Sequence, residues 1–92
     1  MVVGKFPFEE EIVGPRLSVR TFDPHYDSEE FVWHRDRQDR IITVIDPGGW
    51  KFQFENDLPM DLEENFTFKI SKGTYHRVIP GDDYLEILVE KL

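Results

Sequence analysis

The 92-residue chain contains no cysteine, so disulfides and thiolate metal sites are excluded, and any metal would have to be held by histidine and carboxylate. No apolar run approaches the ~18–20 residues that span a bilayer. The start, "MVVGKFPFEEE", lacks both the apolar stretch and the cleavage site of a signal peptide, which points to a soluble, non-exported, cytoplasmic protein. A basic stripe is also missing. The 11 Lys and Arg face 19 Asp and Glu, and the resulting net charge of −8 would repel a phosphate backbone, which excludes nucleic acid as a partner. No glycine-rich strand-to-helix loop is present: "GGW" at Gly48–Trp50 reads as a hairpin turn in which Gly permits positive φ, not as a phosphate loop. Without internal repeats or a low-complexity linker, residues 1–92 read as one domain, with 1–15 as an N-terminal arm available for dimer contacts.

Aromatic residues make up 14% of the chain, 8 of them Phe, and supply the buried area that a small core needs. A chain this short buries only ~60–65% of the surface its unfolded form exposes, so further burial against a second copy is expected. Turn residues punctuate it at "FDPHYD", "DPGGW", "NDLP", "SKG" and "PGDD". The segments between them alternate with period two, as Trp50/Phe52/Phe54 against Lys51/Gln53/Glu55, or Phe66/Phe68/Ile70 against Thr67/Lys69. This pattern predicts strands near Arg16–Phe22, Phe31–Arg35, Arg40–Asp46, Trp50–Glu55, Asn65–Ile70, Thr74–Ile79 and Tyr84–Glu90, and hence an all-β sandwich or barrel. "PMDLEENF" is too short for a stable helix and reads as a turn-rich crossover. Apolar residues on both parities of "RIITVI", Ile41 and Ile45 against Ile42 and Val44, leave a second face to cover and predict a homodimer by sheet packing.

One stretch stands apart. "VWHRDRQDR", Val32–Arg40, sets a histidine among charges just before the apolar run. His34 shares strand parity with Asp36, and in "SKGTYHRVI" His76 shares parity with Val78, which turns its ring inward and Tyr75, Arg77 and Ile79 outward. Two inward histidines from distant strands could meet inside a small barrel. His25 in "FDPHYD" reads as a surface loop residue.

On these residues the chain resembles the cupins. "HRDRQDR", residues 34–40, lies over their first motif, HxHxxxE, and is followed by "IITVIDPGG", a strand ending in an acidic-glycine turn. "SKGTYH", residues 71–76, lies over the second motif, PxGxxH. The resemblance runs from about Phe31 to Leu92 and implies a double-stranded β-helix, a small jelly-roll barrel, often dimeric, with a ligand or metal pocket inside. His34 and His76 occupy the first and last ligand positions, while Asp36 stands in place of the second histidine, Arg40 in place of the glutamate, and Ser71 in place of the proline. Two His and one carboxylate form a known facial set for iron(II) and also suit zinc or manganese. A guanidinium beside a divalent cation must be neutralised, and Asp36 or Asp39 could do so.

Two functions follow. The first is a binding module in which the pocket holds a small polar or anionic ligand, anchored by Arg40 with Asp36, and with Gln53 and Trp50 as further contacts in its walls. The second is a metal-dependent enzyme of the cupin type, dioxygenase-like or isomerase-like, in which His34, Asp36 and His76 hold iron, manganese, nickel or zinc. Against both stands a purely structural reading, in which the histidines are satisfied barrel residues, Asp36 and Arg40 form an ion pair, and Trp50, Phe52 and Phe54 are core. Because an isolated buried cation costs several kcal/mol, Arg40 inside the barrel requires Asp36 as a partner; "RQD" would then turn the chain so that the two meet beside His34 and His76.

Overall fold

The computed structural model describes residues 8–25 and 31–92. The strands among the described residues are β1 (Phe8–Gly14), β2 (Leu17–Phe22), β3 (Arg40–Asp46), β4 (Lys51–Phe54), β5 (Met60–Asp61), β6 (Thr67–Ile70), β7 (His76–Ile79) and β8 (Leu85–Lys91), most of them segments in which apolar residues recur at every second position. They form a five-stranded antiparallel sheet in the order β1-β2-β8-β3-β6 and a three-stranded one in the order β5-β4-β7. Phe22, Ile42, Val44, Ile70, Leu85, Ile87 and Val89 of the larger sheet and Phe52 and Val78 of the smaller belong to a single buried cluster with Trp50 and Leu62, so the sheets face each other across one core. Among the described residues no helix is long and apolar enough to cross a membrane.

The register defines two barrel ends. Arg40 pairs with Ile70 and Lys91, and Phe54 with His76, at one end; Phe22 pairs with Leu85, and Lys51 with Ile79, at the other. At the second end the Pro47–Trp50 turn closes through Trp50 N–H to Pro47 C=O at 2.9 Å, with Gly48 and Gly49 at φ +55° and +80°. This turn is not a hairpin as expected. β3 pairs in the larger sheet and β4 in the smaller, so the two glycines carry the chain across from one sheet to the other.

Three further differences have physical causes. Residues 8–14, expected as part of an arm, pair with β2 as an edge strand, since an edge tolerates the charges of "EEE" that weaken a strand signal. Phe31–Arg35 is not a strand: only His34 pairs, in an isolated bridge to His76, and the chain bends at Arg37–Gln38. Within "PMDLEENF" a two-residue strand, β5, borders β4, a length below what side-chain periodicity can register.

Candidate functional site

The polar end is built around the bridge. His34 N–H donates to His76 C=O at 3.0 Å and His76 N–H to His34 C=O at 2.8 Å, so the two backbones hold both rings on the inner side, with centroids 4.3 Å apart. Each Nδ1 lies against a carbonyl, Val32 O at 2.8 Å for His34 and Thr74 O at 2.9 Å for His76. A carbonyl can only accept, so each Nδ1 must carry the proton and, in the neutral ring, Nε2 is the basic nitrogen. The His76 ring is buried and stacks on Phe52 at 5.4 Å and 16°. Its orientation is therefore fixed from two directions.

The bend at Arg37–Gln38 returns Arg40 to Asp36, with Nη1 3.7 Å from Oδ1, while Asp36 Oδ2 lies 3.4 Å from His76 Nε2. The latter contact lacks hydrogen-bond alignment: Asp36 Oδ2 and Arg40 Nε are both buried without a hydrogen-bond partner. Ligand atoms of His34, Asp36 and His76 all fall within 4.8 Å of one another. A carboxylate oxygen facing basic ring nitrogens at this spacing is an arrangement of acceptors that a cation between them would satisfy. The residues present thus fit a divalent metal.

The cavity in front of these groups holds about 40 Å³ and is also lined by Arg20, Phe52, Phe68 and Ile87. A water needs ~10–15 Å³ by this measure, and pockets for drug-sized ligands take ~300–1,000 Å³. The space therefore suits an ion with a few small ligands. Arg20 lies on the inward face of β2 with Ser18 and Phe22. Its Nε donates to Glu10 Oε2 at 2.8 Å, and Ser18 Oγ donates to the same oxygen at 2.9 Å. Burial alone would push the Glu10 carboxyl up, but these bonds outweigh it and hold the group below the usual carboxylate range. Sequence reading missed Arg20; the alternation in "LSVRTF", which sets Ser18, Arg20 and Phe22 on one face, was the available signal.

The remaining residues singled out in the sequence lie elsewhere. Trp50 is 1% exposed in the core, with its indole N–H donating to Asp83 C=O, and it does not line the cavity. Gln53 is on the outer face of β4, accepting from Arg77 Nε at 2.9 Å and donating to Asp57 C=O at 2.9 Å. His25 is exposed, its N–H bonded to Asp23 Oδ1. On the outside of the bridge, Arg77 lies 4.8 Å over the Trp33 ring and Arg35 lies 5.3 Å over Tyr75. Trp33-His34-Arg35 and Tyr75-His76-Arg77 thus run antiparallel, each aromatic opposite the other's arginine, clamping from outside the bridge that presents the histidines inside.

No protein-family model matches the sequence, and no match is found among curated proteins. Solved structures do match. A cupin domain from Bordetella pertussis superposes with a TM-score of 0.62 at 19% identity, over 98% of this chain and 99% of that one. An RmlC-like cupin family protein with a double-stranded β-helix fold from Methanocaldococcus jannaschii gives 0.65 at 12% identity, over 91% and 77%. A DMSP lyase structure gives 0.69 at 22% identity over 83% of this chain, which spans only 37% of the lyase chain. With its two antiparallel sheets facing each other around one core, the chain has the cupin fold, a double-stranded β-helix.

Proposed function

We propose that this protein is a cupin-type metal protein in which His34, Asp36 and His76 hold a divalent ion, iron, manganese, nickel or zinc, and in which Arg40 beside the ion recognises a small anionic ligand. The observation that carries the reading is the convergence of the three donors within 4.8 Å, with both imidazoles oriented by backbone carbonyls. When bound, the metal would supply Lewis acidity at the inner wall of the cavity. The chain's own groups do the rest. Phe52 and the Thr74 carbonyl fix His76, the bridge fixes His34, and the bend brings in Asp36. Charge supports the ligand class: Arg20 pairs with Glu10, and among the described residues Asp36 is the carboxylate within salt-bridge reach of Arg40, so a divalent cation added to that pair leaves about two positive charges that an anion would compensate.

Metal analysis of protein purified without chelator or affinity metal tests this reading. Near-stoichiometric metal in the native protein, lost in His76→Ala with the fold retained, is the expected result. A native protein that neither carries metal nor binds added zinc at micromolar concentration would overturn the reading in favour of the metal-free alternatives, a module that holds its anion beside Arg40 and Arg20, which both line the cavity, or a purely structural barrel. Association into a homodimer belongs to the same proposal, supported by half-buried Val19, Ile41 and Leu88 and exposed Ile45 on the outer face of the larger sheet. A monomer mass from light scattering at tens of micromolar would count against it. A cytoplasmic location is proposed on the sequence alone.

A further inference from the structure

The interior cavity and the molecular surface share Asp36. The same residue that faces His76 inside lines an outer cleft of about 680 Å³ together with Arg35, Arg37, Lys72 and Gly73. The two volumes divide the work. At about 40 Å³ the inner space admits a few atoms, so any larger ligand must keep its body in the outer cleft and extend only one end past Asp36.

The outer cleft has a definite sign. Its lining offers three cations, Arg35, Arg37 and Lys72, against the single carboxylate of Asp36, which already faces Arg40 and His76. The neighbouring acid is committed as well: Asp39 Oδ1 accepts the Lys72 backbone N–H at 2.8 Å and Oδ2 lies 3.6 Å from Lys69 Nζ. Among the described residues no carboxylate is within salt-bridge reach of the Arg35, Arg37 or Lys72 side chains, and Arg35 lies with its Cζ 5.3 Å over the Tyr75 ring. In a chain of net charge −8 this local excess is opposite in sign to the whole. A polyanion would sense the whole, whereas a small ligand senses charges within about one Debye length, ~8–10 Å. Gly73 completes the floor. At φ +78° it takes a conformation that side chains rarely adopt, a Cβ there would point into open space, and its N–H donates to Asp36 C=O at 2.9 Å, tying the cleft to the inner site.

We propose that the cleft of Arg35, Arg37 and Lys72 is the recognition site for a small organic anion bearing carboxylate or phosphate oxygens, whose reacting end passes Asp36 into the inner cavity. Planar guanidinium forks suit both oxygen clusters, and the ammonium adds a mobile point charge. The assignment deepens the metal-centre reading and rests on it for the reaction, but not for the binding.

The test titrates succinate and inorganic phosphate into metal-free protein and into zinc-loaded protein freed of excess metal, followed by calorimetry and by backbone amide shifts at Arg37, Lys72 and Gly73. Both residues named for substitution are exposed, so Arg37→Glu/Lys72→Glu should fold, and Arg37→Gln/Lys72→Gln serves as a neutral control. At least one anion is expected to bind wild-type protein, about tenfold or more weakly in the charge-reversed variant, with zinc affinity unchanged or raised. Preference for one probe identifies the oxygen cluster. Binding that survives charge reversal, or no binding of either anion in either metal state, overturns the proposal. Anion binding that is lost on charge reversal in a protein that takes up no zinc supports the cleft and overturns the metal reading instead.

Discussion

The two ends of the barrel use buried side chains in opposite ways. At one end Trp50 packs against Phe22 and Phe31 with ring centroids 5.8 and 5.4 Å away, and its one polar atom is satisfied by Asp83 C=O. There Gly48 and Gly81 approach so closely that a Cβ on either would collide with backbone, on Gly48 with Tyr84 C=O and on Gly81 with Gly49. At the other end the buried groups are charged or titratable, and Asp36 Oδ2 and Arg40 Nε stay without hydrogen-bond partners. Satisfied apolar packing stabilises; leaving buried acceptors and donors unmade costs stability and makes sense where a ligand completes them.

The contrast can be broken by substitution. Trp50→Ala should cost about 3–5 kcal/mol, much of the ~5–15 kcal/mol that a domain has, measured as a shift in urea midpoint. A folded Trp50→Ala protein of near-native stability would show that the apolar end is not the anchor. At the polar end the two partners of one ion pair should respond with opposite signs. Asp36→Ala should lower zinc affinity by about 100-fold or more and destabilise the fold by up to ~3 kcal/mol by stranding Arg40. Arg40→Ala should raise zinc affinity by about tenfold, because it removes a cation facing the same carboxylate. Equal losses in both variants would mean that the pair is structural.

Glu10→Gln sharpens the picture between these ends and should cost about 1–2 kcal/mol at neutral pH, since it weakens a charge-assisted bond to a nearly buried Arg20. The folded pKa of Glu10 lies below its unfolded value, so the contribution is complete above the unfolded value near 4.5 and is lost as pH falls through the folded one. The difference between wild type and variant in denaturant melts should therefore shrink as pH falls below 4.5 and vanish only once the folded carboxyl is itself protonated. Smallest is Trp33→Leu, which removes one outer cation–π contact; about 0.5–1 kcal/mol is expected, with a modest loss of zinc affinity, because His34 keeps its bonds to His76.

Much of the barrel was legible because alternation and burial coincide in it. Arg40–Asp46 is found as predicted from "RIITVID", and β4, β6, β7 and β8 lie within or one residue beyond the predicted bounds. His76 with Val78 turned inward, and the Asp36–Arg40 contact across a bend at Arg37–Gln38, were also readable, since parity and the cost of an isolated buried cation act locally. What escaped depends on neighbours that a single strand does not reveal. The acidic edge strand β1 is held by β2, the lone rung at His34 by His76, and the inward Arg20 by Glu10 ten residues earlier. Trp50 and Gln53 sit outside the cavity for the same reason: the cross-sheet turn at Gly48–Gly49 directs Trp50 into the apolar end, and Arg77 engages Gln53 on the outside.

The single rung at His34 also sets a kinetic property. Between Phe31, which packs on Trp50, and Asp39, whose carboxylate accepts the Lys72 N–H, the backbone is attached through the reciprocal bonds with His76, through Gly73 N–H to Asp36 C=O and through Leu92 N–H to Asp39 C=O, rather than through a ladder. A local opening of the stretch between Trp33 and Gln38 would carry His34 and Asp36 away together while His76 stays anchored on β7. An ion held by all three would then exchange with that local opening rather than with unfolding of the barrel, and the contacts of Trp33 with Arg77 and of Arg35 with Tyr75 would slow it.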